Sequence, residues 1–209
     1  MQSPKIKICG MRDPANIFVL AETQPDFMGF IFYEKSPRYV GEQFKVPAIS
    51  DQIERVGVFV SQPIEFILEA TKENELTLIQ LHGDESPVFC EAIKSFGLKV
   101  MKAFRIGDDF DWTLTKHYES CVDYFLFDTK GKTYGGTGVA FNWQLLDNYS
   151  GSVPFFLSGG ISEENISNIS MIEHPMFFGI DLNSGVEDSP GKKSKSKVES
   201  ILKIVKEQV

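Results

Sequence analysis

Residues 76–106 read LTLIQLHGDESPVFCEAIKSFGLKVMKAFRI, which is the pattern of one strand–helix–strand unit. The two ends of this stretch are nearly continuous apolar runs, as is typical of parallel strands covered on both faces. Between them, Ser86-Pro87 is typical of a helix start, because a capping hydroxyl precedes a proline at the first helical position. Apolar side chains then recur at i, i+3, i+4 and i+7 from Phe89. The stretch therefore predicts a βαβ unit.

The same pattern recurs along the chain. Asp13-Pro14 repeats the helix start, and helical spacing of apolar residues returns at Ile64 and at Val198. The predicted strands are Lys5–Cys9, Phe27–Phe32, Arg55–Val60, Leu76–His82, Lys99–Ile106, Asp123–Asp128, Pro154–Ser158 and Met176–Leu182. Strict alternation of strand and helix favours an α/β fold, a closed (β/α)8 TIM barrel, over an open doubly wound sheet with miscounted strands. No linker divides residues 1–209, so we expect a single barrel domain.

Composition argues against several classes of protein. The chain has 209 residues, 42% of them hydrophobic, a net charge of −8 and three cysteines. No apolar run approaches the ~18 residues of a membrane helix, and an acidic balance argues against a nucleic-acid partner. Three widely spaced cysteines predict neither disulfides nor a metal centre, and the first residues lack the apolar core of a signal peptide. We therefore expect a cytoplasmic protein that binds no metal, no nucleic acid and no membrane.

Polar and charged side chains lie at or just beyond the predicted strand ends. In a (β/α)8 barrel the carboxyl ends of all strands meet at one face, where active sites lie. The side chains expected at this face are Cys9, Arg38, His82, Arg105, Asp128 and Asp181. A thiol, an imidazole, carboxylates and arginines on one rim suit acid–base chemistry on an anionic substrate.

Two glycine-containing turns follow the last two strands. Gly159-Gly160 lets backbone N–H groups approach an anion, because neither residue has a Cβ in the way. Asn183-Ser184-Gly185 does the same and adds side-chain donors. The turns after strands 7 and 8 of such barrels frequently hold a phosphate, so together they favour a phosphate site. The alternative is that the glycines only end strands and turn the chain.

Individual side chains leave alternatives open. Asp128 ends an apolar strand, where desolvation would raise its pKa toward use as a general acid; the alternative is a structural cap for the next loop. Cys9 is either a small buried hydrophobe or a reactive thiol activated by the nearby Arg12 and the start of the first helix. Arg38 either holds a carboxylate bidentately or is an exposed loop residue. His82 is either an acid or base, or packs against the rim.

These residues resemble the phosphoribosylanthranilate isomerases of tryptophan biosynthesis. The matching motifs appear in family order and cover nearly the whole chain. They are Lys7-Ile8-Cys9-Gly10-Met11-Arg12, Gly29-Phe30-Ile31-Phe32, Ser36-Pro37-Arg38, Gln80-Leu81-His82-Gly83, Phe127-Asp128-Thr129-Lys130, Gly135-Gly136-Thr137-Gly138, Ser158-Gly159-Gly160 and Asn183-Ser184-Gly185-Val186-Glu187. One departure is Asn183, which stands where the family usually has serine.

The resemblance implies a (β/α)8 barrel isomerase that needs no metal or organic cofactor and acts as a monomer or homodimer. Its substrate would be a phosphosugar: N-(5-phosphoribosyl)anthranilate, converted to 1-(2-carboxyphenylamino)-1-deoxyribulose 5-phosphate by an Amadori rearrangement. Cys9 would be the general base, Asp128 the general acid, and Arg38 the anchor of the anthranilate carboxylate. The phosphate would bind at Gly159, Gly160, Asn183, Ser184 and Gly185, and His82 and Asp181 would complete the substrate site.

Two other hypotheses stay open at this point. Another phosphosugar barrel, such as an indole-glycerol-phosphate synthase or a decarboxylase, would need a lysine near a strand end, for which Lys102 and Lys130 are candidates. A non-catalytic phosphosugar-binding barrel would keep the glycine turns but lack the acid or the base. The lysine-rich run 192–197 is predicted to be the solvated entry to the last helix.

Overall fold

A closed barrel of eight parallel strands forms the centre of the protein, as seen in a computed structural model that describes residues 3–129 and 143–207. The strands are β1 (Lys5–Ile8), β2 (Phe27–Ile31), β3 (Glu54–Phe59), β4 (Leu78–Leu81), β5 (Lys99–Ile106), β6 (Tyr124–Thr129), β7 (Phe155–Ser158) and β8 (Phe177–Leu182). Each pairs with the next in chain order, and β8 pairs with β1 from Gly179 opposite Lys5 to Leu182 opposite Ile8. The predicted barrel is thus confirmed, and the open sheet is excluded because this last pairing leaves no edge.

Two of the four α-helices within residues 3–129 and 143–207 begin as the sequence predicts. The helices are α1 (Pro14–Ala21), α2 (Ile64–Asn74), α3 (Pro87–Ser95) and α4 (Lys195–Glu207). The Asp13 side chain accepts a hydrogen bond from the backbone N–H of Asn16 at 2.8 Å, which caps α1. The Ser86 hydroxyl accepts one from the N–H of Phe89 at 3.3 Å, which caps α3. None of the helices in the described ranges is long and apolar enough to cross a membrane.

Strict alternation of strand and α-helix is wrong in detail. Residues 32–53, between β2 and β3, form an extended loop with no helix. Short 3₁₀ turns replace α-helices at Trp112–His117, Trp143–Asn148 and Ile166–Met171, and a further one at Ser184–Val186 follows β8. Ile166–Met171 and Trp112–His117 contain several Ser, Thr or Asn residues, whose side chains hydrogen-bond to nearby backbone and compete with an α-helix. A hairpin of β9 (Glu187–Ser189) and β10 (Lys192–Lys193) leads into α4.

The barrel interior is layered from its amino end to its carboxyl end. Apolar side chains fill the lower layer: Phe27, Val56, Leu78, Met101, Leu126 and Phe156. A polar layer above it contains the buried side chains of Lys7, Gln80 and Asp181. Cys9, Ile31 and Val58 lie higher still, at the carboxyl rim. The inner faces of several strands are therefore partly polar, and this polar layer supports the site above it.

Candidate active site

A cavity of about 490 Å³ opens at the carboxyl ends of the strands. It is lined by all ten residues predicted for the site: Cys9, Arg38, His82, Asp128, Gly159, Gly160, Asp181, Asn183, Ser184 and Gly185. Arg105, which the sequence places near the end of β5, lines the cavity as well. The segment 130–142, with Lys130 and the Gly135-Gly136-Thr137-Gly138 motif, lies outside the described residues. The closed barrel is what brings together side chains that are far apart in the sequence.

Cys9 follows β1 directly and is buried at the base of the cavity. Its backbone N–H donates a hydrogen bond to the Leu182 carbonyl oxygen at 2.8 Å. Its side chain lies over Gly29 of β2, where an added Cβ would stand 2.9 Å from Cys9 Sγ and 3.2 Å from Lys7 Nζ. Glycine at this position therefore leaves room for the thiol and the lysine ammonium together.

Lys7 and Asp181 form an ion pair inside the barrel. Lys7 Nζ donates to Asp181 Oδ1 at 2.8 Å, and Ser158 Oγ donates to Asp181 Oδ2 at 3.3 Å. The lysine side chain is fully buried, and its Nζ and Cys9 Sγ both lie beside Gly29. Burial alone would lower the pKa of Lys7, but the charges of Asp181 and Cys9 outweigh burial and raise it. The ammonium form is therefore the stable form of Lys7 in this site.

The ionisation of Cys9 depends on opposing effects. Burial raises the pKa of the thiol above its ordinary value, and it outweighs the lowering effect of Lys7 and Lys193. The prediction that Arg12 supplies the activating cation is wrong, because Arg12 is exposed and donates to the Pro37 carbonyl oxygen at 3.1 Å. Lys7 was detectable from the sequence, since residues i and i+2 of a strand share one face.

Arg38 and Lys193 share the carboxylate of Glu187. Arg38 binds it bidentately, with Nε donating to Oε1 at 2.8 Å and Nη2 to Oε2 at 2.6 Å. Lys193 Nζ donates to Glu187 Oε1 at 2.6 Å and to Asn183 Oδ1 at 2.7 Å. Two cations against one carboxylate leave a net positive charge beside the cavity. Arg38 Nη1 has no hydrogen-bond partner among the described residues.

Lys193 corrects the interpretation of the lysine-rich run as a solvated segment. Its side chain is fully buried, whereas the neighbouring Lys192 is exposed. Asn16 of α1 fixes its backbone, accepting from the Lys193 N–H at 2.8 Å and donating to the Lys193 carbonyl oxygen at 2.9 Å. The short β9–β10 hairpin turns this one lysine inward, where Glu187 compensates its charge. A local charge count does not reveal such a pairing.

Asp128 lies at the end of β6 beside His82. Asp128 Oδ2 is 3.6 Å from His82 Nε2, and Gln80 Nε2 is 2.8 Å from His82 Nδ1. A Gln80 donor makes His82 Nδ1 an acceptor, which places the ring proton on Nε2, toward Asp128. The predicted apolar enclosure of Asp128 is wrong: its side chain is 29% exposed, because Phe125 and Phe127 belong to the core outside the barrel.

The two predicted phosphate turns lie against each other. Gly159 and Gly160 both have positive φ, +97° and +64°, and a Cβ on Gly159 would collide with Thr129. A Cβ on Gly185 would collide with the carbonyl oxygen of Ile161. Both turns thus depend on glycine for backbone conformation or close approach. Together the two turns line one part of the cavity.

Comparison with known proteins agrees with this arrangement. The family model for N-(5'phosphoribosyl)anthranilate (PRA) isomerase matches residues 6–204. The N-(5'-phosphoribosyl)anthranilate isomerase of Parabacteroides distasonis is 44% identical over 201 residues, which cover 94% of this chain and 91% of that protein.

Two solved structures share the fold along the full chain. The crystal structure of phosphoribosyl anthranilate isomerase from Thermotoga maritima has a TM-score of 0.84 and 32% identity, covering 98% of this chain and 99% of that one. A phosphoribosyl anthranilate isomerase in complex with reduced 1-(o-carboxyphenylamino)-1-deoxyribulose 5-phosphate has a TM-score of 0.80 and 29% identity, with coverage of 98% and 99%. With this barrel, this set of rim residues and these relatives, the chain belongs to the phosphoribosylanthranilate isomerase family.

Proposed function

We propose that this cavity converts N-(5-phosphoribosyl)anthranilate into 1-(2-carboxyphenylamino)-1-deoxyribulose 5-phosphate, a step of tryptophan biosynthesis. The observation that carries the proposal is one cavity lined by a thiol, a carboxylic acid, an arginine and two adjoining glycine turns. Cys9 and Asp128 come from β1 and β6, which are not neighbours in the barrel. A sugar bound between them has an acid and a base on different sides, which an Amadori rearrangement requires.

The anchors for the two charged ends of the substrate also lie on different strands. The glycine turns after β7 and β8 bind the phosphate through backbone N–H groups and the Ser184 hydroxyl. Arg38, oriented by Glu187, binds the anthranilate carboxylate through Nη1. Binding energy at these remote groups holds the ribose carbons between Cys9 and Asp128 and so assists the chemical step.

The chemistry uses one proton donor and one proton acceptor. Asp128 donates a proton to the furanose ring oxygen, the C1′–O bond breaks, and the anthranilate nitrogen lone pair forms the C1′=N bond of a Schiff base. The Cys9 thiolate then removes the C2′ proton, giving an enolamine. The enolamine becomes the ketone when the Cys9 thiol returns a proton to C1′ and the C2′ hydroxyl gives its proton back to the Asp128 carboxylate. No atom is gained or lost overall. His82, with its ring proton toward Asp128, orients the carboxyl group before the transfer.

Charge compensation allows an acidic protein to bind an anionic substrate. The chain carries a net charge of −8, and the substrate brings a phosphate and a carboxylate. Arg38 and Lys193 outnumber Glu187 beside the cavity, and Arg105 lines another part of it. These side chains create local positive potential against an acidic background.

We assign more specific roles to Asp181, a predicted substrate contact, and to Gln80, which was not predicted to contact the substrate. Asp181 lines the cavity, but its two carboxylate oxygens already accept from Lys7 and Ser158. We assign Asp181 to support of the lysine rather than to direct recognition. Gln80 Oε1 is buried and has no partner among the described residues, so it is available to accept a hydrogen bond from a sugar hydroxyl.

The alternative of a phosphosugar barrel with a catalytic lysine is not supported by Lys102, its candidate within the described residues. Lys102 points away from the cavity and donates to the carbonyl oxygens of Gly83 at 2.7 Å and Ala103 at 3.0 Å. It is also paired with Glu85 at 3.4 Å. A lysine engaged in this way holds a loop and does not reach a substrate in the barrel mouth.

Activity is tested by mixing the purified protein with phosphoribosylanthranilate and following the decay of substrate fluorescence, with the product identified by mass spectrometry. We expect enzyme-dependent conversion to an isomer of unchanged mass. Saturable binding without conversion would instead support a non-catalytic barrel, and loss of carbon dioxide would support a decarboxylase.

A further inference from the structure

We infer that Lys7 is a positioning residue for the reaction: held by Asp181 inside the barrel, its ammonium group pairs with the Cys9 sulfur and favours the thiolate. The inference rests on the proposed role of Cys9 as the base and assigns the group that makes a buried thiol usable. Lys7 itself touches no reacting atom in this account and keeps its proton throughout.

The geometry places the two groups together for local reasons. Lys7 and Cys9 are two residues apart on one strand, so both side chains enter the barrel. Gly29 on the neighbouring strand lies beside both, since the position of its absent Cβ is 2.9 Å from Cys9 Sγ and 3.2 Å from Lys7 Nζ. The ammonium group donates to Asp181 Oδ1 at 2.8 Å, which fixes its direction. A thiolate on the Cys9 sulfur would lie close enough to this ammonium group to be stabilised by its charge.

Lys102 is a second buried lysine, and its contacts are those of a residue with a structural role. Lys102 donates to three backbone carbonyl oxygens, those of Leu81, Gly83 and Ala103, as well as to Glu85. Lys7 is more deeply buried but donates to no backbone carbonyl among the described residues. A buried ion pair is by itself a weak source of stability, because desolvation offsets its attraction. Unlike Lys102, Lys7 therefore holds no backbone segment, and its ammonium group lies between Asp181 and the neighbourhood of the Cys9 sulfur.

Four charged groups face Cys9 from the elements packed around it. They are Lys7 on β1, Asp181 on β8, Lys193 on β10 and Arg38 in the loop after β2. His82 and Asp128 line the far side of the same cavity. Burial and Asp181 oppose the thiolate, and Lys7 is the strongest group that favours it. Removal of the Lys7 charge should therefore raise the pKa of Cys9 further, because burial and Asp181 both disfavour the thiolate.

The test is the pH dependence of Cys9 alkylation by iodoacetamide in the substrate-free enzyme, because the thiolate is the reacting form. Cys9 lines the cavity, and mass spectrometry of its peptide separates it from Cys90 and Cys121. Burial raises the pKa of Cys90 to about 12, so its background reaction is slow. We expect Lys7→Met to move the alkylation midpoint upward by about 1 pH unit or more, the size of effect that an adjacent charge has.

Three further variants separate coupling from general damage. Lys7→Arg keeps the positive charge. We expect its alkylation midpoint and its kcat to lie between those of Lys7→Met and the wild type. Asp181→Asn, which removes the anion but keeps a hydrogen-bond acceptor, moves the midpoint downward. Lys102→Met is the matched control, since it also breaks a buried lysine–carboxylate pair but leaves the Cys9 midpoint unchanged. If Lys7→Met folds poorly, the smaller upward shift of Lys7→Arg and the downward shift of Asp181→Asn still test the coupling, because these two substitutions are closer in shape to the native side chains.

An unchanged alkylation midpoint in folded Lys7→Met, with kcat reduced, would overturn the inference and leave Lys7 a packing residue. Failure of the proposed function has a different signature. If Cys9→Ala turns over at the wild-type rate, Cys9 is not the base, even where the alkylation midpoint still depends on Lys7.

Discussion

At the scale of single residues, Gly29 connects the fold to the chemistry. The Cys9 thiol and the Lys7 ammonium group both lie against Gly29 on β2. A Cβ at this position would be too close to both groups. Its φ angle is not in the left-handed region, so the requirement for glycine is one of space and not of backbone conformation. A glycine in a strand often marks such a close approach.

Gly29→Ala therefore should lower both stability and activity. Because the new Cβ stands 2.9 Å from Cys9 Sγ, the thiol or the strand must move. We expect a loss of about 1–3 kcal/mol in the free energy of unfolding, as for other overpacked cores, and a reduced kcat. Gly107→Ala is the control, since its nearest atom lies at 3.4 Å. Equal stability and kcat in the two variants would show that this packing has no role.

Arg38 tests the division between binding and chemistry. If it anchors the substrate carboxylate in both the ground state and the transition state, Arg38→Ala raises KM and leaves kcat nearly unchanged. Steady-state kinetics on the fluorescent substrate give both constants. The control is Arg55→Ala, because Arg55 pairs with Glu75 away from the cavity. A large fall in kcat at constant KM would contradict simple anchoring.

The single residues were predictable to different degrees. Cys9, Asp128 and the glycine turns follow from their positions at strand ends, and their roles from the family resemblance. The pairing of Arg38 with Glu187 spans 149 residues of sequence, so no local pattern reveals it. Lys193 was misinterpreted for the same reason: its partners lie on the barrel rim and on α1, and its sequence neighbours are solvated lysines.

At the scale of elements, the β9–β10 hairpin supports the carboxylate end of the site. It carries both Glu187 and Lys193, and Lys193 reaches back to Asn183 in the β8 turn. Burial alone would raise the pKa of Glu187, but hydrogen bonds from Arg38 and Lys193 hold it below its ordinary value. The hairpin therefore links the phosphate turn to the arginine.

The pH dependence of stability tests this linkage. The pKa of Glu187 is lower in the folded state than in the unfolded chain, so its pairing contributes stability above about pH 4.3 that is lost as the pH falls through the folded-state pKa. We expect Glu187→Gln to be less stable than the wild type at pH 7 and to lose less stability between pH 5 and pH 3 (roughly the window of a carboxylate). Urea unfolding at each pH measures it.

The control for this experiment is Glu69→Gln, an exposed position on α2. Its acid loss of stability should match that of the wild type. A Glu187→Gln profile parallel to the wild-type profile would contradict the linkage.

The secondary structure was predictable where its signals are local. All eight strands end within two residues of their predicted bounds, because apolar runs and flanking turns mark them, and the Asp13 and Ser86 caps form as expected. The 3₁₀ turns were not predictable from the repeat, since a barrel scaffold positions short connections that have little helical preference of their own.

At the scale of the whole molecule, closure joins the two ends of the chain. β1 pairs with β8 over four residues, and the Cys9 backbone N–H donates to the Leu182 carbonyl oxygen. Lys7 and Asp181, which pair inside the barrel, are 174 residues apart in the sequence. No single segment contains a complete site.

We therefore propose that residues 1–209 fold as one cooperative domain. Thermal or urea unfolding followed by far-UV and near-UV circular dichroism should give coincident single transitions. Two separated transitions would show that part of the barrel folds independently of the rest.

The most direct test of the account is kcat for Cys9→Ala and Asp128→Asn in the phosphoribosylanthranilate assay, with circular dichroism confirming that each variant is folded. We expect each substitution to lower kcat by about 10²–10⁴-fold, the contribution typical of a general acid or base. Turnover at the wild-type rate by either folded variant would contradict it.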